Sequence, residues 1–188
     1  MLNLRESSEG DGMNPEGKLM KMLTGYAAAH QHPFNIFVHM IGIPAIMLGV
    51  LIPLTWIGFE INEFRFYLAH VVIVGFFLFY LTLDVIFALV FAVGAYFLTI
   101  LAVYLGSYPG NTGWIIAGAC FFGGYAAQFV GHAVEKSMPV LIKHPIQANL
   151  AAPFFTVVEL FKLAGLRNEL FDTVQKQIEE QRTSHSPG

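Results

Sequence analysis

His30, His32 and His39 open one long apolar segment of this chain, and His132 closes another, within Gln128-Phe129-Val130-Gly131-His132-Ala133-Val134-Glu135. Ring nitrogens at the edge of a bilayer cost free energy to bury unless something binds them, so imidazoles there mark a candidate site. Gln128 to His132 is an i,i+4 step and His132 to Glu135 an i,i+3 step, which puts the three side chains on one helix face. Asn35 and His39 are likewise four apart, while His32 stands before Pro33, where helical backbone is disfavoured. Neutral imidazoles from two helices, with carboxamides and a carboxylate close by to orient them, make up a first-row metal site; iron, copper and zinc all fit that donor set. A single histidine at a helix end is more often a cap or an interfacial side chain, so the metal reading rests on several converging.

Convergence depends on the elements that carry these residues. The chain has 188 residues, 55% hydrophobic and 12% charged, with a mean hydropathy of +0.59, against about 25% charged in soluble domains. No Asp, Glu, Lys or Arg occurs from Met22 to Phe59, from Phe66 to Leu83 or from Val85 to Val134, and a span needs roughly 20 predominantly apolar residues. The expected fold is therefore an all-α, multi-pass transmembrane helix bundle of about four spans. The first covers about Phe34 to Phe59, starting at Pro33 and kinked at Pro44 and Pro53. Glu60 to Arg65 reads as a short polar loop. The forty or so apolar residues that follow are too many for one crossing of a ~30 Å core, so they form a hairpin of two spans with Asp84 at its tip. Gly106 to Gly113 is a turn, and the fourth span covers about Trp114 to Ala133.

Beyond Glu135, Pro139, Pro145 and Pro153 recur too often for a continuous helix, and the apolar stretch from Ala148 to Ala164 reads as interfacial or re-entrant. Leu163, Leu166, Leu170, Val174 and Ile178 keep helical spacing between charges, as an amphipathic C-terminal helix does. The resulting organisation is a polar, disordered tail over residues 1–20, without the apolar core of a secretory signal; a membrane-embedded catalytic domain over 21–165; the amphipathic helix over 166–182; and a tail over 183–188. Cys120 stands alone and makes no intrachain disulfide. A net charge of −3 without any basic run argues against nucleic acid as a partner.

The basic residues set the orientation. Arg5, Lys18 and Lys21 precede the first span and Lys136, Lys143, Lys162, Arg167, Lys176 and Arg182 follow the fourth, whereas the opposite loops hold Arg65, so both termini are expected in the cytoplasm. His30, His32, His39, Asp84, His132 and Glu135 then share the cytoplasmic face, and His70 falls on the other. Ala119, Gly123, Ala127 and Gly131 form a stripe of small residues next to the His132 face, expected to face the bundle interior and admit another helix closely. Asp84 reads as a turn residue, and His144 and His185 as solvated. Glu135 either opens the polar loop, meeting Lys136 or lipid headgroups, or accepts a hydrogen bond from a histidine ring N–H behind the metal.

Tyr26, His30, Pro33, Asn35 and His39 followed by Gly42-Ile43-Pro44, then Gln128 to His132, Glu135, Pro139 and Ala152-Pro153, resemble the small iron-dependent 2-hydroxy fatty acid dioxygenases over roughly Leu23 to Gly165. Eukaryotic members of this membrane family act in phytosphingosine breakdown in the endoplasmic reticulum. The resemblance implies oxidative removal of one carbon from a 2-hydroxy fatty acid with Fe(2+) and O2, with His30, His39 and His132 as iron ligands. It calls for no histidine at His32 or His144. Tyr26, Asn35, Gln128 and Glu135 then hold the ligands or meet the head group, and the partners are the 2-hydroxy fatty acid, O2 and membrane lipid. Such a protein sits in the inner membrane of a bacterium or the endoplasmic reticulum of a eukaryote. A di-iron desaturase would need about eight histidines in close boxes, and this chain has 7 with no HxxHH. A membrane scaffold or proton-handling protein would share the spans and the small-residue stripe but leaves the clustering of imidazoles on one face unexplained.

Overall fold

The computed structural model describes residues 15–28, 30–139, 142 and 145–184. Its elements run α1 (Pro15–Ala28), α2 (Pro33–Leu54), β1 (Gly58–Ile61), β2 (Phe64–Tyr67), α3 (Leu68–Leu81), α4 (Val85–Gly106), α5 (Thr112–Glu135), α6 (Pro145–Leu163) and α7 (Asn168–Ser184). This is a multi-pass helical bundle. Helices α2, α4 and α5, with 22, 22 and 24 residues, are long and apolar enough to cross a membrane; at 1.5 Å per residue they measure ~33–36 Å against a core of ~30 Å. Helix α3 is apolar throughout but has 14 residues, about 21 Å. Helices α6 and α7 meet at a bend of 114° and, taken together, form a fourth candidate membrane element.

Two stretches depart from the sequence expectation. The polar loop at Glu60 to Arg65 is the inner half of an antiparallel β-hairpin, with Glu60 opposite Arg65 and Asn62 at φ 55° in the turn. Phe59, Ile61, Phe64 and Phe66 supply the aromatic and β-branched character of strands, a signal hidden by the apolar runs on either side. The first span accordingly ends at Leu54 and the second element starts at Leu68. The prolines after Glu135 do not prevent a continuous helix either. Pro145 opens α6, where its missing N–H is no loss, and Pro153 lies buried within it, its lost hydrogen bond offset by packing. Helix α1 starts at Pro15, inside the expected tail, whereas residues 1–14, His144 and His185 lie outside the described residues.

Helix α2 leads away from the histidines, α3 returns, α4 leads away again and α5 comes back, so the starts of α2 and α4 and the end of α5 share one end of the bundle. Asp84 is the turn residue between α3 and α4: its Oδ1 accepts the Phe87 N–H at 3.0 Å and its Oδ2 takes the Arg167 guanidinium at 2.6 Å. At the far end Trp56 lies against Trp114, and its Nε1 donates to the Gly106 carbonyl at 2.9 Å.

The small-residue face differs from the expected stripe. Ala119 and Gly123 are exposed; the buried residues of α5 are Gly113, Ala117, Gly124, Gly131 and His132. A four-residue step overshoots a helical turn by about 40°, so a stripe at that spacing winds off the contact face, while a seven-residue step falls short of two turns by only about 20°. Ala117, Gly124 and Gly131 keep the seven-residue spacing and meet Gly49, Gly42 and Asn35 of antiparallel α2, which keep it too. A Cβ on Gly49 would lie 2.6 Å from the Phe121 nitrogen, and one on Gly124 2.8 Å from the Gly42 carbonyl oxygen.

Over the histidine end, α1, α6 and α7 close down on the α3–α4 turn through one core that includes Leu23, Tyr80, Phe87, Phe154, Val158, Val174 and Ile178. Val174 and Ile178 are the buried stripe of α7, whereas Leu163 and Leu166 are exposed, because the chain bends sharply between them and α7.

Candidate metal centre

Each histidine of the cluster is fixed by its Nδ1. The His30 Nδ1 is 2.8 Å from the Tyr26 carbonyl oxygen and the His39 Nδ1 is 2.9 Å from that of Asn35, in both cases four residues back along the chain. A carbonyl can only accept, so both rings carry their proton on Nδ1 and present an unprotonated Nε2. The His132 Nδ1 lies 2.9 Å from the Ser137 hydroxyl. Ser137 gets there because Lys136 takes the left-handed conformation at φ 56° and the Ser137 N–H folds back onto the His132 carbonyl at 3.0 Å.

The three rings face one another with centroids 4.4, 4.9 and 5.0 Å apart. One nitrogen from each lies within 4.8 Å of the others, and all three residues are buried, at 3%, 3% and 4% exposure. The Nε2 atoms of His30 and His39 approach to 3.2 Å. Two lone pairs at that distance repel unless a cation stands between them. The donor set therefore fits a metal ion, held by neutral imidazoles whose other nitrogens are anchored. Burial, followed by the neighbouring His39, pushes the His30 imidazole down to about 3, so the ring stays neutral.

Behind the rings lies a polar bracket. Glu135 Oε1 accepts the backbone N–H groups of Gln31 and His32 at 2.6 and 3.1 Å, and its Oε2 accepts from the Asn35 Nδ2. The carboxylate thus caps the positive end of α2 and ties the segment bearing His30 to the end of α5. It bonds to no histidine ring among the described residues; the expected role behind the metal falls instead to two backbone carbonyls and Ser137. Asn35 is fully buried, and its Oδ1 faces Gly131, where a Cβ would collide with it.

Tyr26 stacks on His30 with ring centroids 4.0 Å apart and 7° between planes, and Phe155 packs beside both rings, 3.9 Å from Tyr26 and 5.7 Å from His30. Burial, with Glu159 nearby, raises its phenol above the ordinary range, so it stays protonated. Gln128 lines the cavity one turn before His132. His32 stands apart as the N-cap of α2, its Nδ1 accepting the Phe34 N–H at 3.2 Å, and His70 accepts the Tyr67 N–H at the tryptophan end. Sequence reasoning missed Ser137, whose position depends on a left-handed lysine that no local pattern announces.

The cluster sits at the head of a cavity of about 360 Å³, lined by Tyr26, His30, His39, Gln128 and His132 at one end and by Met47, Val50, Val72 and Phe76 at the other. A sequence model of the family described as 2-hydroxy-palmitic acid dioxygenase Mpo1-like matches residues 17–163. The chain belongs to this family. No curated protein and no solved structure matches it. All three histidines, Tyr26, Asn35, Gln128, Glu135 and Ser137 fall inside the Mpo1-like stretch, and α7 lies beyond it.

Proposed function

We propose that this Mpo1-like protein is an Fe(II)-dependent dioxygenase that shortens 2-hydroxy fatty acids by one carbon at the cytoplasmic face of its membrane. The observation that carries the reading is the meeting of three imidazole nitrogens at the head of an apolar cavity. Bound there, Fe(II) supplies the chemistry with O2 and a positive charge for the 2-hydroxy carboxylate. The need for that charge is local: no Lys or Arg lines the cavity among the described residues. The protein's own contribution is position. The Tyr26 and Asn35 carbonyls and the Ser137 hydroxyl orient the rings, Glu135 and Asn35 hold the two helix ends together, and the Gln128 amide, one turn from His132, is available to the substrate head group. Tyr26, Phe155 and the core above them exclude bulk water from the rings.

The orientation has independent support. Lys18, Lys136, Lys162, Arg167 and Lys176 belong to the histidine end and Arg65 to the other, which favours cytoplasmic termini, in the inner membrane of a bacterium or the endoplasmic reticulum of a eukaryote. Reporter fusions at Gly110 and Gly188 should then report opposite sides.

The decisive experiment measures iron in the purified protein together with O2 consumption on 2-hydroxypalmitate and on palmitate. We expect close to one iron per chain and uptake with the 2-hydroxy acid alone. Protein without bound metal, or uptake indifferent to the hydroxyl, would return the histidines to a structural or proton-handling role.

A further inference from the structure

The cavity does not stop at the histidines. It continues along α2 past Ile43 and Met47 to Val50, where its opposite wall is α3, at Val72 and Phe76. From His39 to Val50 is eleven residues, a rise of ~17 Å. Its polar lining residues all belong to the histidine half; the remainder is aliphatic or aromatic. A ligand with one charged end and a long apolar body would take a single direction in such a space.

The way in is also set by the fold. Above the histidines the route toward the cytoplasm is closed by the core of α1 and α6, in which Tyr26, Phe154 and Phe155 are buried. Sideways it is open: Val50 and Phe129 line the cavity and are 38% and 46% exposed. Both belong to helices, α2 and α5, that are long and apolar enough to cross a membrane, so an opening beside them would face lipid. Helix α5 packs along α2, and α3 packs chiefly along α4, which leaves the gap.

We propose that this groove is an acyl-chain berth open to the bilayer between α3 and α5, in which the tail of the substrate runs from the histidines to Val50 and Val72. The proposal rests on the reading that the substrate is a 2-hydroxy fatty acid. Val50 and Val72 thereby govern how much chain the protein holds, and the substrate arrives from the lipid phase without crossing water.

Val72→Phe and Val50→Phe, made separately in the full chain, fill the far end two turns or more from any metal ligand. Binding of 2-hydroxyhexadecanoic and 2-hydroxydecanoic acid to the iron-loaded protein without O2 should show about a tenfold loss for the long acid and little for the short one. Tenfold is 1.4 kcal/mol, close to what burial of roughly two methylenes contributes. Equal losses for both acids, or none for the long one, would overturn the berth. A second measurement does not depend on the variants folding. A 2-hydroxy acid with a diazirine at the tail end, dissolved in vesicles holding the unmodified protein, should label peptides bearing Val50 or Val72. Label confined to α1 or α7 would overturn the lateral route. Wild-type protein that binds these acids with the expected dependence on length but consumes no O2 would sink the dioxygenase reading while leaving the berth in place.

Discussion

Helices α2 and α5 pack against each other at both ends, but the two ends use the contact differently. At the tryptophan end Gly49 meets Ala117 and Phe121, and Trp56 closes over Gly106 and Gly113. The packing there is mostly apolar, and one indole N–H is given to a carbonyl at the end of α4, as suits a ring at a membrane interface. At the histidine end Gly131 makes room for a carboxamide that a carboxylate joins, while two carbonyls and a hydroxyl from around the interface hold the rings. The same seven-residue repeat sets the register throughout, so the polar end inherits its geometry from packing along the whole pair. A three-histidine cluster of this kind can be assembled from single residues on separate elements when the packed helix pair beneath it sets their register.

The contrast predicts its largest effects at the cluster. Replacing His30, His39 or His132 with Ala should in each case remove bound iron and abolish turnover, because ligands act as a unit and their losses do not add. His70→Ala, at the other end, should leave metal content and activity unchanged. Retention of iron by His132→Ala would move the metal away from α5 and leave the cluster as packing only.

Next in size is the bracket. In Glu135→Gln, the Gln31 and His32 N–H groups and the Asn35 amide still point at the side chain, but one acceptor oxygen has become a donor, and one of these groups loses its partner. Groups that support metal ligands typically cost ~10–100-fold when altered. Iron affinity measured by competition with a chelator should fall within that range while folded yield holds. Unchanged affinity would mean that α2 keeps its position without the cap.

How much of this could be read from the sequence follows the same division. His30, His39 and His132 stand out as imidazoles at the edges of apolar runs, and Asn35 and Glu135 by their helical spacing from them; Tyr26 comes only with the family resemblance, and Asp84 is marked because one charge in a long apolar run has to sit at a turn. The small-residue face was misread, since Gly118, Ala119, Gly123 and Gly124 crowd around α5 and only the partner helix decides which of them is covered. The β-hairpin was concealed by the same hydrophobicity that revealed the spans: a run of aromatic residues suits strand and membrane helix alike. The bond from Glu135 to the segment before α2 joins residues over a hundred positions apart, beyond the reach of any local pattern.

The packing face itself gives a smaller effect with a sign that separates the two stripes. In Gly49→Ala the new Cβ meets backbone atoms of α5 below 3 Å, and relieving such overpacking costs ~1–3 kcal/mol. Gly123→Ala adds a methyl with nothing within 4 Å and removes a flexible residue from a helix, a change worth up to about 1 kcal/mol in the stabilising direction. Unfolding in detergent should rank Gly123→Ala at or above wild type and Gly49→Ala well below it. The reverse order would put α2 on the other face of α5.

The smallest effect belongs to the tryptophan end and tests whether the two ends are independent. Trp56→Phe keeps an aromatic ring beside Trp114 but removes the Nε1–H that reaches the Gly106 carbonyl. Gly106 is the last residue of α4, where carbonyls lack helical partners, so losing this bond leaves an acceptor to be met by water or headgroups at the interface. A neutral hydrogen bond in such a place contributes about 0.5–1.5 kcal/mol. Thermal unfolding should register a loss of that order, and iron content and the response to chelator should not move, since the cluster is held by Tyr26, Asn35, Ser137 and Glu135 at the opposite end. If iron affinity fell along with stability, the seven-residue register would be transmitting strain along α2 and α5, and the two ends would have to be treated as one cooperative unit.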